Sequence, residues 1–182
     1  MPPSLSVWFA AGKTGPWQIE RINAVIGATL PMADRLAVAE ASAPPPDAIW
    51  QLRGATSNSR YTRRAEVTAL SAVQEGLGRP LASRAALIPI RKTAAWWDLA
   101  QDERRAIFEE QSRHIAIGLE YLPGVARRLH HCRELGEAFD FLTWFEYAPE
   151  HESAFDSMLA RLRETAEWGF VDHEVDIRLR RA

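Results

Sequence analysis

Residues 109–147 read EEQSRHIAIGLEYLPGVARRLHHCRELGEAFDFLTWFEY, and the change of period inside this stretch decides the fold. At roughly 100° per residue, His114 shares a helical face with Ile107, Ile117 and Gly118, so the spacing predicts that it closes an amphipathic helical run. Gly118, one turn on, leaves the space beside the imidazole empty. The helix cannot pass Leu122, Pro123 and Gly124, because proline lacks the N–H and clashes with the preceding turn, while glycine favours other backbone. Beyond that break the period is two. A strand over 124–132 puts Val125, Arg127, Leu129 and His131 on one face, and a strand over 139–147 does the same for Phe139, Phe141, Thr143, Phe145 and Tyr147. Residues 132–138, with Gly136, form the hairpin loop between them. Pairing the inward faces carries Arg127 into an aromatic pocket beside Thr143 and Phe145. A guanidinium cannot shed its charge, and seating it there without an evident carboxylate costs several kcal/mol, which points to use rather than stability.

Outward from this stretch, the elements alternate. Residues 5–10 read as a strand ended by Gly12, 17–30 as an ambiguous, partly helical segment, and Ala43-Pro44-Pro45-Pro46 as a stiff connector into a strand over 48–54. An amphipathic helix over 64–74 turns Val67, Leu70 and Val73 inward. The loop Gly76-Leu77-Gly78-Arg79-Pro80 is no dinucleotide fingerprint, since the third glycine and the preceding strand are missing. A strand over 85–90 leads into the helical region 96–118. After the hairpin, Pro149 opens a helix burying Phe155, Met158, Leu159, Leu162 and Ala166. The last strand, 171–179, alternates Val175, Ile177 and Leu179 against Glu174, Asp176 and Arg178. The second half is therefore βαββαβ, the ferredoxin-like plan of an antiparallel sheet with helices on one face. The first half reads as an abbreviated copy. The expected class is α+β, with halves 1–82 and 83–182.

Composition narrows the function classes. The chain has 182 residues, 47% of them hydrophobic, which is enough for a real core. A net charge of −2 supplies no basic field for nucleic acid. No apolar run approaches the roughly 20 residues that span a bilayer, and no basic leader precedes one, so neither membrane nor export is expected and the cytoplasm is. The single cysteine, Cys132, rules out an internal disulfide and a thiolate metal cluster.

Five histidines compete as ligands. His130 and His131 are strand neighbours facing opposite ways, and His151 and His173 sit between acids at the surface. His114 by itself is equally a helix histidine satisfied by backbone or water. Arg128, on the face opposite Arg127, reads as a snorkelling surface cation.

Several separate segments, however, carry a common likeness: His114 followed by Arg127, WQLRGATSNSRYTRRAE at 50–66, IPIRKTAAWW at 88–97, Thr143-Trp144-Phe145, and AEWGFVDHEVDIRL at 166–179. In these the chain resembles the chlorite dismutase family, and within it the short, dimeric branch, over almost its whole length. The resemblance implies a dimeric α+β barrel binding haem b, with His114 as the iron ligand and Arg127 over the open face, where Thr143 and Phe145 line the cavity. It further implies Glu167 on the far nitrogen of the ligating histidine and Gln74 hydrogen-bonded to the arginine. Without it, these two are a surface acid and a helix end. Tyr61 and Lys92 match positions that bind the haem propionates or border the histidine side, and Trp96 matches a pocket tryptophan. On a straight helix Trp96 would lie about 27 Å from His114, so its place in the pocket requires a kink or an earlier helix end.

The implied reaction converts chlorite to chloride and dioxygen. Alternatives within the fold are a coproporphyrin-haem decarboxylase, whose relatives lack the arginine, or a haem peroxidase. An alternative from another class is a haem-free dimeric barrel that binds a small ligand or only mediates dimerisation, which lack of a Soret band would reveal.

Overall fold

The computed structural model describes residues 6–56, 61–73 and 76–182. Its eight strands are β1 (Ser6–Gly12), β2 (Trp17–Ile26), β3 (Arg35–Ala41), β4 (Trp50–Thr56), β5 (Arg84–Lys92), β6 (Val125–His131), β7 (Phe141–Tyr147) and β8 (Val171–Arg181). They close into one barrel in the order β1-β3-β2-β8-β5-β7-β6-β4, with every pairing antiparallel. The run β8-β5-β7-β6 has the strand order of a ferredoxin-like unit, and β2-β3-β1-β4 repeats that order. In this second set, residues 13–16 and the proline segment stand where connecting helices would be. The fold is thus an α+β barrel.

The barrel interior is filled by Phe9, Leu36, Leu52, Leu87, Leu142, Trp144, Ile177 and their neighbours. A second apolar layer lies outside the barrel, where Ile88, Phe145 and Tyr147 meet Phe155, Met158, Leu159 and Leu162 of α5 (Glu152–Arg163). The remaining helices are α1 (Arg64–Val73), α2 (Ala94–Asp98), α3 (Gln101–Arg105) and α4 (His114–Glu120). Among the described residues no helix is long and apolar enough to cross a membrane.

Several expectations change. Residues 17–26 are a full strand, β2, pairing along β8, and β3 follows where no element was read. Alanine-rich β3 buries fully only Leu36, so its alternation is faint. The helical region 96–118 is broken into α2, α3, a π-helix over Ala106–Gln111, and α4. Helix α1 buries none of its residues: Val67 and Val73 are exposed and Leu70 is half-buried. Phe139 precedes β7 and joins the barrel interior instead of the outer face, and Ala166 is exposed in the 3-10 turn Ala166–Phe170. The alternation of β8 holds, but its outward polar residues are buried too. Arg163 of α5 bonds Glu174 at 2.7 Å and Asp176 at 3.1 Å, and Arg178 bonds Asp176 and Asp156.

Candidate active site

A cavity of about 360 Å³ lies between the outer face of β5, β6 and β7 and the helical segments, a volume within the range of small-molecule and cofactor sites. Strand register builds its floor: Thr143 pairs with Ile88 on one side and Leu129 on the other, and Phe145 pairs with Ala86 and Arg127. Period two then sends Ile88, Arg127, Leu129, Phe141, Thr143 and Phe145 to the same outer face, where all six line the cavity.

The wall opposite owes its shape to the break ahead of α4. Arg113 adopts a left-handed conformation, φ 53° and ψ 36°, uncommon for a residue with a side chain, so the π-helix ends and a new helix starts at His114. The carboxylate of Glu109 accepts from the amides of Ile115 at 2.6 Å and Ala116 at 3.2 Å, satisfying donors that the first turn leaves open. Ser112 Oγ accepts from the Glu167 amide at 2.9 Å, which ties the break to the segment beside it. His114 therefore opens a helix rather than closing one. The two earlier breaks supply the bend that Trp96 required, and both residues line the cavity.

The His114 imidazole is held on three sides. Phe108 stacks on it at 4.4 Å between ring centres, Trp168 lies nearly parallel at 6.4 Å, and Nδ1 is 2.7 Å from Glu167 Oε2. The other Glu167 oxygen accepts from Lys92 Nζ at 2.7 Å, and that ammonium lies 4.4 Å from the Trp96 ring centre and 5.7 Å from that of Trp168. Burial alone would raise the Glu167 pKa, but His114 and Lys92 outweigh it and bring it down to about 2. The carboxylate is thus ionised and accepts the Nδ1 proton, so Nε2 is the ring nitrogen that Glu167 does not engage. Lys92 sits on the histidine side of the cavity. Among the described residues, no cluster of three or more His, Cys, Asp or Glu side chains could hold a bare metal ion.

Arg127 reaches across the cavity from β6. A Cβ added at Gly118 would fall 2.5 Å from both of its terminal nitrogens, so the space expected to be empty beside Gly118 holds a guanidinium. Loss of solvent brings its pKa down to about 10, which still leaves it protonated at neutral pH. Tyr61 and Thr62 complete the rim together with Leu70, and Tyr61 Oη accepts from Arg104 at 3.2 Å. Trp96 is buried, with no hydrogen-bond partner for Nε1 among the described residues. Gln74 lies outside the described residues.

Sequence reasoning missed Phe108 and Trp168. On one continuous helix Phe108 and His114 would stand roughly 240° apart, and only the left-handed turn at Arg113 stacks them. Trp168 had a usable signal in its adjacency to Glu167. The rival His130 is inside the barrel, donating from Nδ1 to Leu142 O at 3.1 Å, and burial pushes its pKa down to about 4. His173 is half-buried against Phe139 and bonds Ala28 O at 2.7 Å, so it is no free surface residue.

This chain is similar to known proteins to different depths. A chlorite dismutase from Ideonella dechloratans is 32% identical over 81 residues, 44% of this chain but only 26% of that protein, so the match spans about a quarter of its length. A chlorite dismutase from Candidatus Nitrospira defluvii, its structure solved in complex with imidazole, is 18% identical, with 100% of this chain and 93% of that one covered and a TM-score of 0.70, a likeness of fold. A dimeric chlorite dismutase from Nitrobacter winogradskyi is 56% identical, with a TM-score of 0.90 over 96% of this chain and 99% of that one. The sequence profile described as chlorite dismutase matches residues 39–179. That profile runs from the end of β3 through most of β8 and takes in the histidine, the arginine and their surroundings, and with it this chain belongs to the chlorite dismutase family.

Proposed function

We propose that this protein is a haem b enzyme that decomposes chlorite to chloride and dioxygen with formation of the O–O bond, acting as a homodimer in the cytoplasm. The observation that carries the reading is His114: an imidazole whose Nδ1 is engaged by an ionised, buried carboxylate while its ring lines a largely apolar cavity that also holds a guanidinium. That donor set suits a flat, hydrophobic iron macrocycle, for which a neutral imidazole is a usual axial ligand. When bound, haem supplies the redox chemistry that opens the Cl–O bonds and joins the oxygens.

The chain's own residues have separate tasks. His114 Nε2 would hold the iron, and Glu167 accepts the Nδ1 proton, which makes the ligand more basic. Lys92 keeps that carboxylate ionised and in place. Arg127 attracts the anionic substrate and retains the oxygen-bearing fragment, an electrostatic role made stronger by the dry walls of Thr143, Phe145 and Leu129. Tyr61 and Trp96 border the same space and would help hold the bound group. We assign Gln74, by its match to the family pattern, to the arginine side. The reaction moves no net proton, which fits a cationic partner for the anion rather than a general base.

The test is spectroscopic. Haem added to the protein should give a Soret band of an imidazole-ligated ferric haem, and His114→Ala should fold while losing haem or its axial imidazole. An unchanged spectrum and affinity in that variant would remove the assignment. His131→Ala should do little.

A further inference from the structure

The segment 61–73 borders the cavity with Tyr61, Thr62 and Leu70, yet its helix α1 buries none of its residues. Ring contacts of Tyr61 with Trp96 and Phe108, both at 6.0 Å between centres, anchor the start of the segment. The helix itself is fastened by polar bonds to α3. Arg105 makes a two-pronged ion pair with Glu66, at 2.6 Å and 2.7 Å, and the same guanidinium donates to the carbonyl of Tyr61. Arg104 donates to Tyr61 Oη at 3.2 Å, while Arg63 reaches Glu110 at 3.4 Å at the exposed surface, which adds little. The Glu66–Arg105 pair differs from that surface pair: its side chains are only 15–22% exposed and its geometry is bidentate, the form of ion pair with the most strength and directional specificity. Glu66 also accepts the Arg63 amide at 2.7 Å, capping α1. One carboxylate thus starts the helix and fastens it.

We propose that Glu66 and Arg105 are positioning residues whose ion pair straps segment 61–73 over the cavity, setting how long a bound flat group stays and how tightly Tyr61 and Leu70 close on it. Neither side chain lines the cavity; they act through Tyr61 and Leu70. The retention part rests on the haem reading above, whereas the fastening itself does not.

The experiment has two arms on the full-length protein, using Glu66→Gln, which keeps an acceptor for the Arg63 amide, and Arg105→Gln. The first arm, on protein without added haem, follows amide hydrogen exchange. Segment 61–73 should exchange faster in both variants while the β5–β8 amides and the thermal midpoint stay as in the parent. The second arm loads haem and measures its transfer to an excess of haem-free myoglobin. Transfer should be about 10-fold faster, the imidazole-ligated Soret spectrum being unchanged, as expected for loss of one partly buried two-pronged ion pair. Unchanged exchange overturns the proposal, as does a fall in melting temperature with faster exchange throughout the barrel, which marks an ordinary structural pair. Parent-like haem transfer despite faster local exchange overturns its retention part. If the parent binds no haem, the functional reading fails while the exchange arm still decides the strap.

Discussion

Gly118 and Arg127 divide one small volume between them, and this gives the residue scale its sharpest test. A methyl group at 118 would collide with the flexible end of a side chain, not with backbone, so the guanidinium should move aside at little cost to folding. Alanine also favours helix over glycine by roughly 1 kcal/mol, which offsets part of any strain. Gly118→Ala is therefore expected to leave the melting temperature near the parent's while weakening cyanide or fluoride binding at haem-loaded protein, and Arg127→Ala should weaken it further, by about 10-fold or more if the charge is worth 1.4 kcal/mol or above to the anion. With chlorite, Arg127→Ala should also release more hypochlorite to a scavenger and bleach faster. Parent-like anion affinity in both variants would make Arg127 a structural cation. The arginine was legible from the period-two pattern of β6; its seat on Gly118 was not, because the sequence shows a missing side chain without showing what fills the gap.

Legibility varies sharply among the elements. Strands β7 and β8 were readable because each has one face in the barrel interior and the other against the outer layer and its helices, whereas β6 was readable from its alternation alone, its Arg128 being exposed. The segmented helical region was not, since the left-handed residue at its key break is Arg113, where a glycine would have signalled the turn. Helix α1 carries a convincing apolar stripe that buries nothing, and here periodicity misled. On β8 the polar residues looked solvated but form a buried network with α5, whose acid behaviour can be predicted. Burial alone would raise the Asp176 pKa, but its bonds to Arg178 and Arg163 outweigh that and hold it below its ordinary 3.8. A depressed carboxylate contributes stability above the unfolded value and loses it as pH falls through the lower folded one. Asp176→Asn should then cost about 3 kcal/mol at pH 7, as for breaking a buried pair, and the gap to the parent should narrow below pH 3.8. Denaturant midpoints of the two proteins at pH 7 and pH 2.5 check this; a gap independent of pH would assign the loss to packing.

At the scale of the whole molecule, barrel closure was beyond reach of the sequence. Among the described residues, the seam between β4 and β6 consists of Ala55 against His131 and Thr56 against His130, too short a register to announce itself. We propose that residues 1–82 and 83–182 are two repeats of one strand plan, the first stripped of its covering helices. That stripping leaves apolar strand side chains such as Val25 and Val38 in solvent, surface that a second copy would cover. Light scattering should give twice the 20.5 kDa chain mass, and a monomer at micromolar concentration would contradict it. The proposed conversion of chlorite into dioxygen in this cavity is tested most directly with an oxygen electrode. Chlorite added to haem-loaded parent protein should release about one dioxygen per chlorite consumed, with His114→Ala releasing almost none, as the overall stoichiometry and loss of the axial ligand require. Chlorite left unconsumed, or consumed without dioxygen, would contradict the account.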